Sequence, residues 1–321
     1  MIETFDLTKH FDDFVAVQGI SLHVDRGEVL ALLGPNGAGK TTTVRMLTSV
    51  LIPTEGRATV AGYDVVTDAE QVRANVGVLT EGHGLYLRMN GREYLDFFGA
   101  MYAVKPERRR QRTQDYAERF GMAEALDRRM SEYSKGMRQK LALIRAIIHD
   151  PPVILLDEPT SAMDPHSARQ VRDAIHDLRK DGRTIILTTH NLNEAEELAD
   201  RIAIIRRGEI IARGSVLELK TELLGPPLLE LKVADQVDGL VEDLADVVSI
   251  DSYGYNWVRF RTPQPQVVNP QLLKQLAAQG VDVITLSEVP QSLEQVYLRA
   301  VHDESETRQE DESVSEGQGE A

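Results

Sequence analysis

The apolar run Val29-Leu30-Ala31-Leu32-Leu33 stops at Gly34, and Gly34-Pro35-Asn36-Gly37-Ala38-Gly39-Lys40-Thr41 follows. Two glycines separated by four residues and followed by Lys-Thr constrain this chain more than any other feature. The run reads as a buried strand, and a helix is expected over 41–51, stopping before Pro53. Between them the glycines let the backbone curl so that successive N–H groups point inward at phosphate oxygens. The helix that follows adds its positive N-terminal end. In such a cradle Lys40 supplies a full positive charge to the β- and γ-phosphates, Thr41 offers a hydroxyl to Mg²⁺, and Thr42 reaches the α-phosphate.

A second apolar run, Val153-Ile154-Leu155-Leu156, ends in Asp157-Glu158. A buried strand has no use for adjacent carboxylates in its core, so both acids should emerge at its C-terminal edge, where α/β sheets bind ligands. There Asp157 is placed to hold Mg²⁺, and Glu158 to orient and deprotonate the water that attacks a γ-phosphate. Helical character at 167–180 leads to a further strand at 184–188. Strand, helix, strand at this spacing is a βαβ unit, which requires its strands to be parallel and close. That second strand runs into Thr188-Thr189-His190, bringing His190 to the same edge as Glu158.

Short strands are expected at 57–61 and 76–79, and helices at 92–102, 107–120 and 135–149. A hairpin is expected where Arg207-Gly208 separates 202–205 from 209–212. Gly225-Pro226-Pro227 breaks the chain and marks a linker. Beyond it the expected order is strand 228–233, helix 237–245, strand 247–252, strand 257–261, helix 270–279, strand 281–286 and helix 292–301. This β-α-β-β-α-β order suggests a ferredoxin-like sandwich. Domains are therefore expected at 1–220, with a helical subdomain at about 88–149, and at 228–301. An acidic, disordered tail is expected over 302–321.

Composition excludes several function classes. There is no cysteine, which removes disulfides and thiolate chemistry. No apolar run approaches the ~18 residues of a membrane span, and the N-terminus lacks the zones of a signal peptide, so the chain reads as cytosolic. Net charge is −15. Eight acidic residues against Arg308 alone in 303–321 carry −7 of it, leaving −8 elsewhere. Nucleic-acid binding, which wants a basic face, is not expected.

Residues 1–215 resemble the ATP-binding subunits of ABC transporters. Besides the phosphate loop and the Asp157-Glu158 pair, Tyr133-Ser134-Lys135-Gly136-Met137-Arg138-Gln139-Lys140 looks like that family's signature loop. Ser161-Ala162-Met163-Asp164 looks like its dimer-axis segment, and His190 like its γ-phosphate-sensing histidine. The resemblance implies an α/β phosphate-loop cassette with a mixed sheet and a helical subdomain, followed by the small α+β domain. It implies ATP and Mg²⁺ as ligands and an ATPase in which Ser134 and Gly136 grip the γ-phosphate held by a second copy. Phe11 stands where the family stacks an aromatic on adenine; an apolar core role is its rival. Glu81 stands where the family usually has a Gln that touches Mg²⁺ and the attacking water. A carboxylate can also ligate Mg²⁺, at the cost of more negative charge beside Asp157 and Glu158.

A homodimer, or a heterodimer with a related ATPase subunit, is implied, together with separate transmembrane permease subunits. That places the chain at the inner face of the membrane. The family docks a coupling helix on the helical subdomain, where Tyr94, Phe97, Phe98 and Tyr102 either form the dock or pack the subdomain's own core. A small C-terminal α+β domain resembles exporter subunits. The alternative is a soluble, non-transport ABC ATPase acting on a macromolecular partner.

Overall fold

The computed structural model describes residues 1–80, 82, 84–161, 163–237 and 239–303. The chain divides into two units, Met1–Val216 and the part from Leu217 onward. Glu81, and the expected tail beyond residue 303, lie outside the described residues.

In the first unit an antiparallel sheet holds β1 (Ile2–Phe11), β2 (Phe14–Ile20), β3 (His23–Val24), β5 (Glu55–Val60) and β6 (Tyr63–Asp64). The larger sheet holds β4 (Val29–Leu33), β7 (Val76–Leu79), β8 (Val153–Asp157), β9 (Thr184–Thr189), β10 (Arg201–Arg206) and β11 (Glu209–Gly214). Its order is β11-β10-β4-β9-β8-β7. The five strands from β10 to β7 are parallel, and β11 returns antiparallel to β10. Every residue of β4, β8 and β9 is buried. Strands covered on both faces carry continuous apolar runs, which is why these were legible without alternation.

Parallel pairing has one functional consequence: the strands end together. Leu33 pairs with Thr189, Asp157 with Thr188 and Leu79 with Leu156. The loops after β4, β8 and β9 therefore leave one edge of the sheet, where order reverses about β4.

The helices are α1 (Lys40–Leu47), α2 (Ala69–Asn75), α3 (Gly91–Met101), α4 (Pro106–Arg119), α5 (Lys135–Ile147), α6 (Pro165–Lys180) and α7 (Leu192–Leu198). Helix α1 is shorter than expected. Ser49 takes a left-handed conformation (φ 57°), its N–H bonds Met46 O at 3.0 Å, and the Val50 N–H bonds Arg45 O at 3.0 Å. This paired closure ends the helix before the β-branched residues that follow. The three helices of the expected helical subdomain, α3, α4 and α5, all form. A capping box of Asn90 and Glu93 starts α3, Pro106 opens α4 and the Ser134 hydroxyl caps α5. Tyr94 is fully buried there, whereas Phe97 and Tyr102 are 44% and 40% exposed. The four aromatics thus divide between core and surface.

The second unit holds α8 (Val216–Leu224), which begins at the unit boundary, then β12 (Leu228–Val233), α9 (Leu240–Ala245), β13 (Ser249–Tyr253), β14 (Trp257–Arg261), α10 (Pro265–Ala278) and β15 (Val283–Glu288). A last helix covers residues 293–303. The antiparallel order β13-β14-β12-β15 is that of a ferredoxin-like sandwich. Its core is built on Leu231, Leu244, Val258, Phe260, Leu272 and Leu276.

Two expectations shift. Helix α10 starts at Pro265, whose fixed φ suits the first helical position, and it carries Pro270 inside it. The chain also divides at residue 216, ahead of the expected end at 220 and the break at 225–227. Arg261 Nη1 donates to Leu224 O (2.8 Å) and Pro226 O (2.9 Å), which fastens the Gly-Pro-Pro break to the second unit's own sheet.

Candidate active site

The loop between β4 and α1 is shaped by contacts that only glycine permits. A Cβ on Gly34 would lie 2.2 Å from Ile205 O, and one on Gly39 2.6 Å from Ala16 O. Gly39 also holds φ 107°, a conformation that side chains disfavour. Gly34 N–H bonds Thr189 O at 3.2 Å, and Gly208 N–H bonds Ala38 O at 2.9 Å, so neighbouring strands pin the loop at both ends.

Lys40, 5% exposed, folds back over this loop. Its Nζ donates to Gly34 O (2.7 Å) and Pro35 O (3.1 Å) and lies 3.4 Å from Glu158 Oε1. Thr41 Oγ1 donates to Asp157 Oδ2 at 3.0 Å, and Thr188 Oγ1 donates to Asp157 Oδ1 at 2.5 Å. Buried Asp157 is thereby oriented toward the first turn of α1. A hydroxyl and a carboxylate, both hard oxygen donors, are what Mg²⁺ takes from a protein that leaves its other positions to water and phosphate. The donor set fits that ion.

Glu158 holds φ 50°, a left-handed backbone that a residue with a side chain adopts only at some cost. Its N–H bonds Thr188 O (3.1 Å) and Thr188 Oγ1 (3.2 Å), which stabilises the turn. The turn brings the carboxylate 2.9 Å from His190 Nδ1. In the tautomer with the proton on Nδ1, the imidazole donates to this carboxylate and Nε2 is left for another partner. Glu158 is 12% exposed at its side chain and His190 is 53% exposed, so the acid sits beneath the imidazole.

Lys40, Thr41, Glu158 and His190 share one cleft of about 360 Å³, lined by the loop from Pro35 to Thr42 with Glu158, Ser161 and His190. Asp157, bonded to Thr41, lines the neighbouring pocket. Phe14 and Ala16 also line the cleft. Phe11 does not: its ring is 44% exposed, with Lys9 Nζ 5.2 Å from its centroid. Phe14, the residue paired with Phe11 across the β1–β2 turn, provides the aromatic wall instead. Both aromatics are exposed, Phe11 by 44% and Phe14 by 63%, so exposure alone does not choose between them. Ser134 and Gly136 do not line the cleft either. Ser134 is exposed at the start of α5, and Gly136 packs so closely that a Cβ would meet Ser167 Oγ at 2.7 Å. Asp164 caps α6 through the Ser167 N–H at 3.0 Å.

A glycine-shaped anion cradle, a buried acid beside its threonine and a second acid under a histidine, all at one parallel-sheet edge, define a nucleoside-triphosphate-hydrolysing cassette. Residues 17–161 match the family model described as ABC transporter, and residues 214–301 match that of the ATP-binding protein DrrA1-3-like, C-terminal domain. The ABC transporter ATP-binding protein NatA of Bacillus subtilis (strain 168) is 42% identical over 224 residues, 68% of this chain and 91% of that one. The daunorubicin/doxorubicin resistance ATP-binding protein DrrA of Streptomyces peucetius is 34% identical over 324 residues, 98% of this chain and 96% of that one. A dimeric post-hydrolysis state of the ATP-binding cassette MJ0796, bound to ADP and Pi, superposes with a TM-score of 0.62. It is 23% identical and covers 67% of this chain and 99% of that chain, a likeness of fold. The chain belongs to the ABC transporter family as an ATP-binding, ATP-hydrolysing subunit, with a DrrA-like C-terminal domain.

Proposed function

We propose that this subunit dimerises on two ATP molecules to drive export through separate membrane subunits. The observation that carries the reading is a division. The loop from Pro35 to Thr42, Glu158 and His190 line one cleft at the sheet edge, with Asp157 bonded to Thr41 beside it, while Ser134 and Gly136 lie outside. A second copy, turned head to tail, would supply the missing side. That MJ0796, a cassette of like fold, is dimeric with ADP and Pi supports a dimer.

In this reading the backbone N–H groups from Asn36 to Thr42, with Gly34 and Pro35 shaping the turn, cradle the phosphates, and Lys40 neutralises the β- and γ-oxygens. Phe14 faces the nucleotide from β2. Thr41 and Asp157 hold Mg²⁺ (Glu81 is a further candidate), and the ion offsets phosphate charge when bound. Glu158 accepts a proton from the attacking water. His190 Nδ1–H orients that carboxylate, and the imidazole meets the γ-phosphate. The second copy's Ser134 hydroxyl, Gly136 N–H and α5 N-terminus complete the anion site. Loss of the γ-phosphate then removes the bond between the copies, and the closed state gives way.

Among the described residues no helix is long and apolar enough to cross a membrane, so transport calls for a partner that does. A pocket of about 450 Å³ opens beside Thr41 and Asp157, with Val44, Val50, Val78, Phe98 and Tyr102 as apolar walls. Its position next to the nucleotide cleft suits the coupling segment of a membrane subunit, which would hold this chain at the inner face of the membrane. Export as the direction follows the daunorubicin/doxorubicin resistance of DrrA.

The test is the Glu158→Gln protein, which keeps the site's shape but loses its base. With ATP it should accumulate as a dimer in size-exclusion light scattering, with turnover reduced by about 100-fold or more. A monomer turning over at the wild-type rate would overturn the reading.

A further inference from the structure

Glu194 is 3% exposed. Arg172, the cation that acts on it, pairs with Glu197 at 2.8 Å, so hydroxyls rather than a direct ion pair hold the Glu194 oxygens. Burying a carboxylate is costly unless its oxygens are well satisfied. Two hydroxyls satisfy them. Thr160 Oγ1 donates to Oε1 at 2.7 Å, and Thr189 Oγ1 donates to Oε2 at 2.6 Å. Thr160 stands two residues after Glu158, and Thr189 one residue before His190. One carboxylate therefore bridges the two loops whose side chains meet in the 2.9 Å contact between Glu158 and His190.

The bridge is anchored at its base. Asn191 caps α7, its side chain accepting from Asn193 N (3.0 Å) and Glu194 N (3.2 Å). The Asn191 N–H also bonds Thr189 Oγ1 at 3.0 Å, so that hydroxyl is held as acceptor and donor together. From the other side, Gln139 Nε2 donates to Pro159 O at 2.7 Å. The strained turn at Glu158 has little intrinsic preference for its conformation, and these outer bonds fix it.

We infer that Glu194 is a positioning residue for ATP hydrolysis, a clasp that sets the distance between Glu158 and His190 by holding Thr160 and Thr189 together. It does not touch the nucleotide. Its burial holds the carboxyl above the usual carboxylate range; the two hydroxyl bonds oppose this, Glu158 adds to it and Arg172 opposes it. A small displacement of a catalytic group is sufficient to lower turnover by one to two orders of magnitude.

This inference rests on the roles given to Glu158 and His190, and the experiment separates the two. ATPase kinetics of the full chain are measured for Glu194→Ala, Glu194→Gln, Thr160→Val and Glu158→Gln, with melting temperatures alongside. For Glu194→Ala and Thr160→Val, kcat should fall by about tenfold or more while the ATP KM stays within about twofold. Glu194→Gln should recover most of the loss, because its amide keeps the shape, its oxygen still accepts from Thr189 and the Thr160 hydroxyl can turn to accept from its nitrogen. Should Glu194→Ala not fold, Thr160→Val carries the test, since it leaves the Glu194–Thr189 bond in place. An unchanged kcat in both, or a parallel fall of kcat and melting temperature in the alanine and glutamine variants alike, overturns the clasp. Wild-type turnover in Glu158→Gln would instead overturn the assignment of the base.

Discussion

At the scale of single residues, two titratable groups, the half-buried His149 and the buried Glu194, give this fold opposite responses to pH. His149 stacks on Tyr102 with centroids 3.8 Å apart. Burial, with Arg112 and Arg183 nearby, lowers it from 6.5 to about 4. A base that is harder to protonate folded than unfolded contributes stability above its ordinary pKa and loses it as pH falls from 6.5 toward 4. That gap corresponds to a contribution on the order of 3 kcal/mol. His149→Phe keeps a ring against Tyr102 and cannot take a proton, so its urea stability should not show the wild-type loss as pH falls through this window. Glu194 runs the other way. Its raised carboxyl stabilises the fold while protonated, below the ordinary carboxylate value, and that contribution is lost as pH rises through the folded one. Glu194→Gln should therefore melt above wild type near neutral pH and converge with it at about pH 4. A constant offset at all pH values would show that the carboxyl's charge is not the cause.

The elements show where sequence reading succeeds and where it stops. Strands β4, β8 and β9 were legible because burial on both faces demands unbroken apolar runs, and their end residues followed from parallel pairing. The phosphate loop was legible because its glycines answer to sterics close at hand. Helix α1 was misjudged at its C-terminus because Thr48, Ser49 and Val50 carry no glycine stop, and a serine in the left-handed position has no sequence signature. That Phe14 rather than Phe11 lines the cleft was not legible, because choosing between two aromatics on one hairpin depends on how the turn faces the loop after β4. Glu194 was invisible because its partners, Thr160 and Thr189, belong to two loops that only the folded sheet edge brings together. The Ser49 stop yields its own test. Its side chain holds a left-handed φ of 57°, and its buried Oγ has no hydrogen-bond partner among the described residues. Ser49→Gly should raise stability by ~1 kcal/mol, read as a shift in denaturant midpoint with an unchanged slope. Loss of stability would mean that Ser49 contributes packing that outweighs the strain.

For the whole molecule, the question is whether one nucleotide is served by one chain or by two. Lys40 belongs to the cleft and Ser134 does not, so a variant of each should be inactive for a different reason. Lys40→Ala damages the loop side of both sites in a homodimer, and Ser134→Arg blocks the opposing side of both. Mixing the two changes the arithmetic if the sites are composite. In a mixed dimer one site receives both defects, while the other combines an intact Lys40 with an intact Ser134 from the second copy. An equal mixture should then regain up to about a quarter of wild-type ATPase activity, since half of the dimers are mixed and each holds one intact site. The regained activity should rise as the two proteins are preincubated with ATP and should fade on dilution, because it belongs to a dimer. If each chain served its own nucleotide, the mixture would hold two kinds of defective site and no intact one, and activity would stay at the level of the parents at every ratio. A return of activity thus reports directly on the head-to-tail arrangement. Its absence, with both variants shown to dimerise, would confine the site to one chain.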